Sequence, residues 1–164
     1  MKKCAAHNQA IVAITLTVIG TIGLVTTPAN AKSTGITRPT SISAGLFWPG
    51  GDTDLAINLR YALPTKKSLA VPSLTIIDVG AEVGNRTIIP LNIGILAGAK
   101  SASPLESGNF YYGAGIGPYF SSSDVHLGGF LTGGYNLTAS TYAEYKYQFV
   151  QGGNGSILSF GLRF

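Results

Sequence analysis

The sequence predicts an all-β fold, a closed antiparallel up-and-down barrel of eight strands that crosses a membrane. Three observations predict it. Eight stretches of about ten residues alternate apolar with small or polar positions, the period that only a strand has. Charged residues make up 11% of the chain, against roughly 25% in a soluble domain. No stretch reaches the 18 or so consecutive apolar residues of a spanning helix, so the 45% hydrophobic content must be shared among short elements.

Met1 to Ala31 reads as a secretory signal: Lys2 and Lys3 open it, Ile11 to Val25 is its apolar centre, and Ala29-Asn30-Ala31 is a small-x-small cleavage site. A membrane anchor is the rival reading, but the apolar centre would span only about 22 Å as a helix against a hydrocarbon core of about 30 Å. Cys4 leaves with the signal, so the exported segment, residues 32–164, holds no cysteine and cannot be a disulfide scaffold. Removing Lys2 and Lys3 from eleven basic residues leaves nine against seven acidic, a formal +2. That is not the profile of a nucleic-acid binder. Sixteen aromatic residues exclude a disordered tail.

The strands follow in order. The first, Thr40 to Trp48, sets Ile42, Ala44, Leu46 and Trp48 against Ser41, Ser43, Gly45 and Phe47. The second, Asp54 to Leu63, sets Leu55, Ile57, Leu59, Tyr61 and Leu63 against Ala56, Asn58, Arg60 and Ala62. In the third, Leu74 to Val83, the polar face holds Asp78, Gly80 and Glu82 together with Ile76. The fourth, Ile88 to Ala99, is weakened by Pro90 and Leu96 on its polar face. The fifth, Phe110 to Ser121, lines one face with Gly113, Gly115 and Gly117 between Tyr111 and Tyr119. The sixth, Val125 to Leu137, turns Leu127, Leu131 and Tyr135 away from His126, Phe130 and Asn136. In the seventh, Tyr145, Tyr147 and Phe149 oppose Glu144, Lys146 and Gln148. In the eighth, Leu158, Phe160, Leu162 and Phe164 oppose Ser159, Gly161 and Arg163.

Strands of 9 to 11 residues suit a tilted membrane barrel, and closure leaves no unpaired edge in a medium without water. A soluble sandwich would need more surface charge than this chain carries. With the apolar face toward lipid, the interior receives Arg60, Asp78, Glu82, Glu144, Lys146 and Arg163. An eight-stranded barrel is just wide enough for side chains to fill it, so these six should form a salt-bridge network. Tyr111, Tyr119, Phe47 and Phe130, set opposite the glycines, should plug the rest.

The stretch from Phe110 to Phe164 carries Tyr-Gly-x-Gly-x-Gly in strand five and Gly-Gly-Tyr-Asn-Leu in strand six. Ala-Glu-Tyr-Lys-Tyr-Gln-Phe follows in strand seven, and Phe-Gly-Leu-Arg-Phe closes the chain. These motifs resemble the small eight-stranded outer-membrane β-barrel proteins of Gram-negative bacteria. The resemblance implies an integral protein of the cell outer membrane, surrounded by its lipid and monomeric. It also implies that the barrel assembly machinery reads the last strand, a role that would fall on Phe160, Leu162 and Phe164. One departure follows from the turns: the outer loops would be Pro49 to Thr53, Gly84 to Arg86, Ser121 to Asp124 and Val150 to Gly155, all short. The inner connections, Pro64 to Pro72 and Lys100 to Asn109, would be longer, the reverse of the usual pattern. Little chain remains outside for adhesion or receptor binding.

Catalytic and cofactor motifs are weak. Gly113-x-Gly115-x-Gly117 lacks dinucleotide spacing and a following helix. His126 is the one histidine after the signal, too few for a usual zinc site. A lipid-modifying hydrolase would need His126, oriented by Glu144, beside a serine at a barrel rim, and no His-x-Ser occurs. Asn85-Arg86-Thr87, Asn136-Leu137-Thr138 and Asn154-Gly155-Ser156 match the glycosylation triplet but read as turn chemistry. Trp48, Tyr61, Tyr112, Tyr135 and Phe164 suit interfacial girdles. The expectation is therefore a structural, membrane-integrity role with a plugged lumen and no catalysis, cofactor, metal or nucleic acid. The alternatives are a lipid-modifying enzyme and a soluble exported barrel that binds an apolar ligand.

Overall fold

The computed structural model describes residues 38–64, 72–84, 86–99, 103–151 and 153–164. The expected signal, Met1 to Ala31, and part of the connection expected at Pro64 to Pro72 lie outside the described residues. Eight strands follow in chain order: β1 (Thr40–Trp48), β2 (Asp54–Pro64), β3 (Ser73–Val83), β4 (Thr87–Gly98), β5 (Phe110–Phe120), β6 (Val125–Asn136), β7 (Thr141–Val150) and β8 (Gly153–Arg163). Each pairs antiparallel with its neighbour, and β1 pairs with β8, so the sheet closes into an up-and-down barrel. The described residues form no helix.

Alternation decides the faces. In β7, Tyr142, Glu144, Lys146 and Gln148 are buried while Tyr145, Tyr147 and Phe149 are exposed. In β8, Ile157, Ser159 and Arg163 are buried while Leu158, Phe160 and Leu162 are exposed. The outside is apolar and the inside carries the charge, the inverse of a water-soluble barrel. Pro90 and Pro118, which lack an N–H, interrupt the ladders: β3 and β4 pair up to Val79 and Leu91 and resume at Glu82 and Ile88 without a change of register.

One turn differs from expectation. Val150 to Gly155 is not a loop, because Phe149 pairs with Asn154 and Val150 with Gly153, leaving only residues 151–152 between β7 and β8. Gly153, Asn154 and Gly155 suggest a turn by composition, but the neighbouring strand gives their backbone ladder partners and the pairing prevails. Asn154-Gly155-Ser156 therefore lies in a strand, and turn chemistry does not explain it.

Candidate functional site in the barrel interior

Among the described residues the alternation gathers titratable groups in the interior, and the register sets their heights. Arg60 on β2 faces Asp78 on β3 directly across the ladder. Its Nε donates to Asp78 Oδ1 at 3.2 Å and its Nη2 to Asp78 Oδ2 at 3.2 Å. From the far wall, Glu144 on β7 accepts from Arg60 Nη1 at 2.6 Å and Nη2 at 2.9 Å. Planar guanidinium geometry lets one arginine serve two carboxylates in this way. Lys146 Nζ donates to Asp78 Oδ2 at 2.7 Å and stands 5.0 Å from the centre of the Phe130 ring. The Tyr111 hydroxyl donates to Glu144 Oε2 at 2.8 Å, and the Asn58 amide to Asp78 Oδ1. Two cations and two anions thus form one neutral, bonded group.

All six predicted interior charges are inside, each at most 6% exposed, but the expected pairing holds for four. Glu82 is held by the Gln148 amide, whose Nε2 donates to Oε1 at 2.6 Å, and Glu82 Oε2 has no partner. Arg163 donates from Nη2 to Asn136 Oδ1 at 2.6 Å and lies over the Tyr142 ring at 4.4 Å, with Nη1 unpartnered. The physical reason is height: Arg163 is the last residue of β8, and Glu82 lies near the opposite end of the barrel on β3. Neither reaches the central carboxylates or ammonium.

Aromatic rings fill the space around these groups, and glycines make the room. Tyr111 lies opposite Gly134, Phe130 opposite Gly115 and Tyr142 opposite Gly161 in register. A Cβ on any of those three glycines would fall inside the facing ring's atoms. Tyr111, Tyr119, Phe47 and Phe130 are buried as expected. Tyr142, Ile76 and Leu96 join them, so the residues that spoiled the alternation of β3 and β4 are interior packing rather than exceptions.

A second plug was not foreseen. Residues 103–109, between β4 and β5, fold across the end at which the chain enters β1 and leaves β8. Pro104 is fully buried and Leu105 packs on the Ile76, Leu96 and Tyr111 cluster. Asn136 fixes the segment, its Nδ2 donating to the carbonyls of Pro104 at 3.0 Å and Glu106 at 2.8 Å. Asn136 is thus an interior anchor, not a turn residue. Two cavities beside the network measure about 10 Å³ each, room for one water molecule.

The structure does not bring His126 and Glu144 together. Glu144 stands opposite Gly134, eight positions along β6 from His126, about 26 Å at 3.3 Å per residue. Glu144 is instead bonded to Arg60 and Tyr111. Among the described residues no group of three metal-ligating side chains comes together.

These features define a class: a narrow antiparallel barrel with an apolar exterior and a filled, charged interior. The N-terminal β-barrel domain of Pseudomonas aeruginosa OprF superposes on it with a TM-score of 0.52, covering 76% of this chain and 96% of that one at 13% identity. At that identity the likeness is one of fold. The S-type phycobiliprotein lyase CPES from Guillardia theta superposes with a TM-score of 0.44 at 8% identity, over 78% of this chain and 88% of that one. That superposition is too loose to bear on the fold. No family model matches the sequence, and no curated protein matches it significantly.

Proposed function

We propose that the chain is an integral β-barrel of the Gram-negative outer membrane, monomeric, with a structural role in membrane integrity, a plugged lumen and no catalytic activity. The observation that carries this reading is the exterior: 23 large apolar side chains of the described residues are exposed around the barrel. Isolated exposed apolar residues are ordinary, but a continuous belt of them has no place in water. From Phe110 to Phe120, β5 runs roughly 33 Å, which a tilt of about 40° reduces to about 25 Å, the height of the apolar band of such barrels. Aromatic residues gather at both rims. Tyr61, Phe110, Tyr112, Tyr135 and Phe164 lie toward the end closed by residues 103–109, and Trp48, Phe120 and Phe149 toward the other. The fold likeness to the OprF barrel domain agrees.

Outer-membrane lipid is then the surround, and the barrel assembly machinery the partner during insertion, reading Phe160, Leu162 and Phe164. These three alternate outward at the end of β8 and are all exposed. The soluble ligand-binding alternative needs the apolar face inside; here that face is outside, and two cavities in the interior have room for no more than about one water each. The test is gel mobility of the outer-membrane fraction in SDS, unboiled against boiled, following the band near 14 kDa (residues 32–164 at about 0.1 kDa each). A shift between the two supports the reading. Recovery in the soluble periplasmic fraction without a shift overturns it.

A further inference from the structure

The interior charges cancel in the middle of the barrel but not at its ends. Arg60, Lys146, Asp78 and Glu144 neutralise one another, which leaves Arg163 without a carboxylate partner among the described residues. A carboxyl can shed its charge by taking up a proton; a guanidinium cannot. Arg163 is 6% exposed, its Nη2 is bound to a neutral amide, and its Nη1 is buried with no acceptor. Such a donor is rarely left unmatched in a folded protein.

Beside it lies a small cavity, about 10 Å³, whose lining includes Arg38, Ser41, Arg60, Leu96, Leu105 and Arg163. Three of its eight lining residues are cations. Arg60 is already committed to Asp78 and Glu144, whereas Arg38 is exposed at the rim and forms the outer wall. Ser41 Oγ accepts from the Tyr142 hydroxyl at 3.3 Å, so its own proton is available to an acceptor in the cavity. The nearby acidic residue of the plug segment, Glu106, is exposed, and its backbone carbonyl is what meets Asn136.

We propose that this end of the barrel is an anion site that admits one oxygen of a phosphate group. Arg163 Nη1 and Ser41 Oγ donate to that oxygen, and Arg38 neutralises the remainder of the group from the rim. The cavity has room for a single oxygen-sized atom, so the rest of the phosphate stays outside the wall. Free phosphate and the headgroup of an anionic phospholipid present the same chemistry. The inference rests on the guanidinium and the cavity, and stands apart from the location of the barrel.

The test follows the side-chain N–H resonances of Arg163 in full-length folded protein. Inorganic phosphate is titrated in chloride-free buffer with a non-ionic detergent, and phosphatidylglycerol is added in parallel to phosphatidylcholine nanodiscs. Saturable shifts of the Arg163 signals with free phosphate support a soluble anion. Shifts with phosphatidylglycerol alone support a headgroup. Arg38→Gln should weaken either response about tenfold, the loss expected for one charge-assisted contact. Arg86→Gln, an exposed cation in the β3–β4 loop at the other end, should leave it unchanged. No shift with either probe overturns the proposal, as does a shift of equal size in Arg38→Gln, and neither outcome depends on whether an Arg163 variant folds.

Discussion

Replacing Glu144 by leucine tests the interior network where it is most concentrated. The carboxylate accepts three hydrogen bonds, from Arg60 Nη1 at 2.6 Å, Arg60 Nη2 at 2.9 Å and the Tyr111 hydroxyl at 2.8 Å. Leucine accepts none, so Tyr111 loses its acceptor while Arg60 keeps only Asp78, which also serves Lys146. Two cations, Arg60 and Lys146, then share the one carboxylate of Asp78 in a site nearly closed to solvent. Removing one partner of a buried pair costs about 3–5 kcal/mol, and two features set the lower end as the expectation: Asp78 still compensates part of the Arg60 charge, and leucine fills part of the vacated volume. The expected loss is about 3 kcal/mol. Urea unfolding in lipid vesicles, followed through the single tryptophan Trp48, reads it directly. The double variant Arg60→Met with Glu144→Leu restores a one-to-one balance between Lys146 and Asp78, and should be more stable than Glu144→Leu alone. A Glu144→Leu midpoint within about 0.5 kcal/mol of the parent, the range of an ordinary surface change, would refute the reasoning, and so would a double variant less stable than the single one.

Further outcomes are expected elsewhere. Tyr111→Phe keeps the ring against Gly134 and removes only the hydroxyl, so it should cost about 1–2 kcal/mol, less than Glu144→Leu by the same urea assay. Gly115→Ala places a methyl group inside the Phe130 ring, and should destabilise by about 1–3 kcal/mol as overpacking does; a neutral result in thermal unfolding would contradict the close approach. Ile116→Arg, on the exterior at mid-strand and exposed, should cost about 2–4 kcal/mol in vesicles, and equal stability of the two proteins would count against a lipid surround. Phe164→Ala should lower the fraction assembled in the outer membrane of cells while leaving refolding into vesicles in vitro nearly unchanged, because the exposed ring points outward and the backbone keeps its hydrogen bonds to Thr40. Equal losses in both assays would assign Phe164 to stability rather than to assembly.

Strand faces were legible because period two is local: Ser41, Ser43 and Phe47 could be placed inside from β1 alone. The identity of the charges inside was legible for the same reason. Their partners were not. Arg60 meets Glu144 only after five strands have curled round and closed on β1, and no spacing in the chain encodes that height. The same limit hid the amide partners of Glu82 and Arg163, and the register that sets Tyr142 opposite Gly161. Leu96 looked like a break in the pattern because polarity stood in for direction; the interior is apolar at the level of the plug, where Leu96 and Ile76 pack, so parity and polarity part there. The plug itself has no period to read, and Asn136, which ties it down, resembled a turn residue in sequence.

The seam between β1 and β8 has a consequence for how the molecule comes into being. Ser41 pairs with Arg163 across that seam, joining positions about 120 residues apart, and the entropic cost of so large a loop must be met before the contact returns anything. Until the eighth strand docks, two strand edges lie open and Arg60, Asp78, Glu144 and Lys146 sit in an unclosed trough rather than a sealed chamber. Arg60 can meet Asp78 on the neighbouring strand beforehand, but its bonds to Glu144 on β7 are coupled to closure of the sheet by β8. An intermediate with seven docked strands would hold most of the hydrogen-bond ladders and little of the final stability.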